Sequence, residues 1–198
     1  EFLTNETVSK INISENKAKS ITTNSGKNLP TDLVIASADY AHVEKKLISS
    51  KYRNYSKAYW EKKKFSPSSL IFYLGINKKL KRISHHNLFF DEDVERCTKE
   101  IYEYNSWPKK PLFYVCCPSK TDSTVAPKGK ENIFILMPIP IGSEDNEKIR
   151  EKYFNIIISK LEDYCNQEIT PNIEYKRSYC INDFQSDYNA YKGNAYGL

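Results

Sequence analysis

Residues 118–139 read PSKTDSTVAPKGKENIFILMPI. The first half is polar and is bounded by Pro118 and Pro127, which fix φ and remove backbone donors, while Gly129 permits positive φ. Ser119, Thr121, Asp122, Ser123 and Thr124 carry short side chains that bond their own backbone, so this half is predicted to be a built loop with Asp122 as a turn former. The second half, 133–139 (IFILMPI), is apolar at consecutive positions. That pattern predicts a central strand covered on both faces. A polar loop feeding a buried strand therefore makes a β-sheet the centre of the fold.

The neighbouring runs fit the same frame. Residues 112–117 (LFYVCC) and 70–74 (LIFYL, ended by Gly75) predict two more central strands, and 87–90 (NLFF) a shorter one. Asp91 is placed as the cap of a helix carrying Val94, Cys97, Ile101 and Tyr104 on one face. The strongest helical pattern is 146–165, where Ile149, Tyr153, Ile157, Leu161 and Tyr164 line one side and charges the other. After Pro171, residues 173–179 predict an edge or closing strand, and Asp183 a cap for a short helix ending before Gly193. Upstream, residues 4–13 and 17–23 predict a hairpin, followed by a turn at 24–27 and a short buried strand at 33–36. Asp39 is expected to cap a helix running to Ile48, with a looser basic helix at 55–64. The expected class is α+β (mixed α/β), a sheet flanked by helices, with no internal repeat.

Composition narrows the function classes. The chain has 198 residues, long enough for a real core, yet its apolar share is only 39%. No run approaches the roughly 18 apolar residues of a membrane-spanning helix, so a cytosolic setting is expected. Five cysteines, Cys97, Cys116, Cys117, Cys165 and Cys180, show neither a CxxC pair nor histidines at metal spacing; they read as small buried hydrophobes and no metal is expected. Asn5 and Asn54 fit the glycosylation pattern by chance. The net charge of +5 conceals a basic segment: residues 41–90 hold twelve Lys/Arg against Glu44 and Glu61, a local +10. Tyr52, Tyr55, Tyr59, Trp60 and Phe65 are interleaved with them. Such a segment suits an anionic membrane surface or a phosphate backbone; a solvated lysine-rich face is the plain alternative.

The proline-bounded loop resembles the PS-x-TD-x-x-x-AP-x-G signature of the bacterial-type phytoene desaturases. Other segments match that family in order: residues 30–39 (PTDLVIASAD), Phe72-Tyr73-Leu74-Gly75, His85-His86-Asn87-Leu88-Phe89-Phe90, Met137-Pro138-Ile139-Pro140, and Gly193-Asn194-Ala195-Tyr196-Gly197-Leu198. The family's G-x-G-x-x-G turn is absent, the six glycines being scattered singly. The resemblance implies an internal segment of a longer flavoenzyme, with residues 1–40 the closing part of an FAD-binding domain and 41–198 most of a substrate domain.

What the resemblance implies for chemistry follows from that placement. FAD is the expected cofactor, with Val8 placed to contact adenine through its backbone. An acyclic carotenoid is the expected substrate, in a tunnel whose walls include Phe72, Tyr73, Phe113, Val115, Phe134 and Leu136. His86 is the polar side chain nearest such a site and a weak catalytic candidate. The flavin takes a hydride from an allylic carbon, and the protein binds and orients. Peripheral membrane attachment through residues 41–90 is expected and nucleic acid is not. Two other readings stand beside this one: an isomerase or saturase of the same superfamily, and a basic module binding lipid or nucleic acid.

Overall fold

A computed structural model describes residues 2–197. The backbone forms two compact units. The first runs to Phe65 and takes up Gln185–Tyr191 again; the second comprises Ser66–Phe184 with Lys192–Tyr196. Residue 40, the expected domain boundary, therefore lies within the first unit.

The first unit holds an antiparallel sheet of β1 (Val8–Ser14), β2 (Lys17–Thr23) and β3 (Asn28–Pro30) in that order. Its small core is Ile11, Val43 and Leu47, with Val8, Ile13, Ile21, Val34 and Ile48 packed around them. The strand expected at 33–36 does not form: Leu33 and Ile35 are 73% and 87% exposed. An apolar run becomes a strand only beside a partner, and this sheet ends at β3. Asp39 caps α1 (Tyr40–His42) by accepting from the His42 N–H at 2.8 Å, as expected. The helix then widens into a π-turn over Val43–Leu47, and Ile48 caps it at the expected end. Ser56 caps α2 (Lys57–Lys62). There Trp60 is buried among Tyr40, Tyr55, Tyr59 and Phe65.

The second unit is a five-stranded antiparallel sheet in the order β5-β6-β7-β4-β8. Its strands are β4 (Ser68–Ile76), β5 (His86–Phe89), β6 (Phe113–Cys116), β7 (Glu131–Ile139) and β8 (Ile173–Tyr179). The helix α3 (Val94–Tyr102) is capped by Asp93, two residues past the expected Asp91. Helix α4 (Glu147–Cys165), capped by Asn146 and closed by left-handed Asn166, lies on one face of the sheet. Between them sits the main core: Leu70, Phe72, Leu74, Phe113, Val115, Ile133, Ile135, Met137 and Ile139 from the sheet, Phe154, Ile157, Ile158 and Leu161 from the helix. Side chains alternate across a strand, so β7 sends Ile133, Ile135, Met137 and Ile139 toward α4 and Phe134, Leu136 and Pro138 the other way. The expectation that β6 and β7 are covered on both faces is corrected accordingly. The helix covers one face; on the other, Phe134, Leu136, Tyr114 and Cys116 are half-buried and Tyr73 is exposed.

Two buried polar networks fix the turns around the sheet. Glu131, at the start of β7, is fully buried and meets Lys120 at 2.8 Å, Lys79 at 3.1 Å and the Ser119 hydroxyl. Ser119 also accepts from the Asn132 N–H, and Lys120 donates to the Leu80 carbonyl. This latch explains the Pro118-Ser119-Lys120 part of the opening motif. Asp122 accepts from the N–H and hydroxyl of Thr124 and makes the turn expected of it. In the second network Arg150 grips Asp145 with two bonds, at 2.6 and 2.7 Å, and reaches Asp183 and Ser178. Asp183 lies inside α5 (Ile181–Tyr188), where it accepts from the Cys180 N–H. It works from the third helical position, as a capping-box carboxylate does, and not from the cap itself.

Candidate functional site

The face of the second unit's sheet opposite α4 is built from two rows of side chains in register. One row runs His86, Cys116, Phe134, Tyr73, Arg177 across β5, β6, β7, β4 and β8; the other runs Leu88, Tyr114, Leu136, Ile71, Tyr179. With strands about 4.8 Å apart, each row spans roughly 19 Å. The rings meet within and between the rows: Tyr73 and Phe134 have centroids 5.6 Å apart, while Tyr114 reaches across to Phe134 at 6.3 Å and to His86 at 5.9 Å. Ile71 and Tyr179 are buried; between His86 and Cys116 at one end and Arg177 at the other, the accessible part of the strip is aromatic and aliphatic.

The six side chains expected to line a tunnel divide by face. Tyr73, Phe134 and Leu136 lie on the strip. Phe72, Phe113 and Val115 point to α4 and are at most 1% exposed; Phe72 stands edge-on to Phe154 at 5.2 Å. A continuous apolar run conceals which face each residue takes, and strand register reveals it. His86 is exposed at the strip's end, with Nδ1 2.5 Å from the Tyr114 hydroxyl. Tyr114 titrates above its usual range, first because of its hydrogen bond with Cys116 and then through desolvation. Val8 opens β1 at the edge of the first unit's sheet and packs on that unit's core.

A groove of about 840 Å³ runs beside the free edge of β5, lined by residues that include Leu88, Phe90, Tyr164, Lys160, Asp91 and Asp163. Lys160 bonds Asp91 and Glu92 there. Three charged walls suit a hydrocarbon less well than the strip does. Sequence reasoning missed Glu131, Arg150 and the convergence of His85, His86 and Cys116. Lone charges in a lysine-rich chain give no signal, and the last three residues come from different strands and loops.

A dinucleotide cradle needs glycine-permitted backbone N–H groups at a strand-to-helix turn. The turn from β7 to α4 has one glycine, Gly142. A Cβ there would lie 3.5 Å from the Lys192 side chain, and Glu144 and Asp145 follow it. Acidic side chains at that turn repel a pyrophosphate. Among the described residues this turn therefore does not fit a dinucleotide pyrophosphate.

No family model matches the chain. Two solved structures share the fold: an oxidoreductase from Methanosarcina mazei (TM-score 0.57, 20% identity, 88% of this chain and 37% of that one) and a protein from Pyrococcus furiosus (TM-score 0.53, 18% identity, 89% and 37%). The architecture is therefore one found in an oxidoreductase. Among curated proteins the chain is 35% identical to a carotenoid 3,4-desaturase of Haloarcula japonica, aligning over 87% of this chain and 35% of that protein. It is 31% identical to a 4,4'-diapophytoene desaturase of Staphylococcus haemolyticus (84% and 35%) and 26% identical to a lycopene-forming phytoene desaturase of a Paracoccus species (100% and 40%). Over the span it covers, the chain is a phytoene desaturase family sequence. It spans between 35% and 40% of the length of these relatives.

Proposed function

We propose that this polypeptide supplies the substrate-binding sheet of an FAD-dependent carotenoid desaturase, and that an acyclic carotenoid lies along the strip from Leu88 and Tyr114 through Phe134 and Leu136 to Tyr73. One observation carries the reading: β7 is apolar on both faces while α4 covers one. The half-buried Tyr114, Phe134 and Leu136 with exposed Tyr73 and Leu88 favour an apolar occupant, at about 25 cal/mol per Å² removed from water. The relatives, which are carotenoid and phytoene desaturases, favour a carotenoid as that occupant. The role of this chain is to bind and orient a polyene and to keep water from it, while bound FAD supplies the hydride acceptor. His86, next to Tyr114 at the end of the strip, is the polar group available to a substrate terminus. Val8, at the start of β1, is proposed to meet adenine through its backbone.

Access to a lipid-dissolved substrate is proposed to come from peripheral membrane attachment. Among the described residues no helix is long and apolar enough to cross a membrane. The basic residues of 41–90 belong to both units: Lys45, Lys46, Lys51, Arg53, Lys57 and Lys62–Lys64 to the first, Lys78, Lys79, Lys81 and Arg82 to the second. Lys79 is engaged by Glu131, Lys78 by the Glu168 carbonyl and Arg53 by the Lys45 and Ile48 carbonyls. The attachment is therefore assigned to the first-unit lysines at 45–64, beside Tyr55 and Tyr59.

The test is product analysis of the full-length enzyme in cells that accumulate phytoene. Products with longer conjugation support the reading. Phytoene returned unchanged, isomerised without loss of hydrogen, or saturated would overturn it.

A further inference from the structure

At the free edge of the second unit's sheet, one donor atom from each of His85, His86 and Cys116 lies within 4.8 Å of the other two. Strand register brings them together. His86 and Cys116 are direct partners across β5 and β6, and the Cys117 N–H donates to the His85 carbonyl at 2.7 Å, which fixes the backbone on both sides. Each imidazole is held at Nδ1 by a hydroxyl, His85 by Thr121 Oγ1 at 2.6 Å and His86 by Tyr114 at 2.5 Å. Among the described residues the other nitrogen of each ring has no such bond. Histidines that ligate metals are oriented in this way by an outer partner on the second nitrogen.

We propose that His85, His86 and Cys116 form a binding site for a borderline-soft divalent cation of the Zn²⁺ type. Two imidazoles and a thiolate are the donors such an ion prefers, and three protein ligands leave a fourth position for water or another ligand. His86 is exposed, so that position is open to solvent. Binding exchanges the Cys116 thiol proton for the metal, releasing one proton and leaving the site with a single positive charge. The two rings are stacked, with centroids 4.2 Å apart, which keeps one donor nitrogen of each within reach of the sulfur. Thr121 belongs to the opening motif, and orienting His85 gives that motif a task beyond the Glu131 latch. The proposal does not depend on the desaturase reading.

The metal-stripped protein is titrated with Zn²⁺ against a chromophoric chelator and with Co²⁺ by absorption spectroscopy. Expected are one saturable equivalent, release of a proton, and a near-ultraviolet thiolate-to-cobalt band. Cys116→Ser abolishes the band, and His86→Gln at its exposed position weakens binding at least about tenfold. Thr121→Val weakens it roughly 10- to 100-fold while keeping the band. Cys97→Ser, remote from the cluster, retains both. Circular dichroism confirms that each variant is folded. Failure of folded wild-type protein to bind one equivalent, or binding undiminished in Cys116→Ser and His86→Gln, overturns the proposal.

Discussion

Replacing Glu131 with alanine is expected to loosen the loop between β6 and β7 and destabilise the second unit. The Glu131 side chain has no solvent exposure, and its carboxylate joins Lys79, Lys120 and Ser119. Losing one member of a buried ion pair destabilises by about 3–5 kcal/mol when its partner stays buried. Here the partners are 53% (Lys79) and 22% (Lys120) exposed and can turn to water, which lowers the figure to about 2–3 kcal/mol. For a domain of this size that is roughly 5–10 °C in Tm. Burial pushes the Glu131 carboxyl up, but Lys120, Ser119 and Lys79 outweigh it and hold the pKa below the usual value. A depressed folded pKa stabilises above the ordinary carboxylate range, and this contribution is lost as pH falls through the folded value. Thermal melts of wild type and Glu131→Ala across pH 3–7 should thus converge at the acid end. Equal melting temperatures at neutral pH, or a gap that widens on acidification, would refute the reasoning.

Three further outcomes follow from particular contacts. Gly193→Ala should destabilise by about 2–3 kcal/mol in chemical denaturation, since φ is +68° and the new Cβ would stand 2.6 Å from Ile181 Cγ2; a neutral result would contradict the packing. Ile135→Ala, on the helix-covered face, should lower stability by about 3–4 kcal/mol, and Leu136→Ala, one residue on, by about 1 kcal/mol; equal effects would deny that the faces differ. Among the thiols, half-buried Cys116 should be alkylated before Cys117 and Cys180, whose pKa values burial pushes up to about 11 and about 12, as mass spectrometry of a time course will read.

Much of the second unit was legible from periodicity. The pattern of Ile149, Tyr153, Ile157 and Leu161 placed α4, and the apolar runs placed β4, β6 and β7, because long uniform signals outlast context. The face each strand residue takes was not legible. Phe113 and Phe134 are equally apolar, and pairing register alone puts one in the core and the other on the strip. The run at 33–36 misled because strand formation depends on a neighbour that local sequence does not contain. Nor was Glu131 visible, since the lysines that neutralise it are 11 and 52 residues away. The ordered motifs of the loop, the histidine pair and the Gly193 turn carried the family. Their physical reasons, the latch, the hydroxyl-held imidazoles and the Ile181 contact, emerged only in three dimensions.

The most direct test of the proposed hydrocarbon-binding face is steady-state desaturation by full-length enzyme carrying Phe134→Asp or Tyr73→Asp, read together with Tm. A charge on a surface reserved for substrate should reduce kcat/KM by at least about tenfold, given the several kcal/mol cost of burying an unpaired carboxylate against a polyene, while Tm stays near wild type. Turnover at the wild-type level would contradict the account. So would a steep fall in Tm, because the face would then be packed against protein rather than held for a polyene.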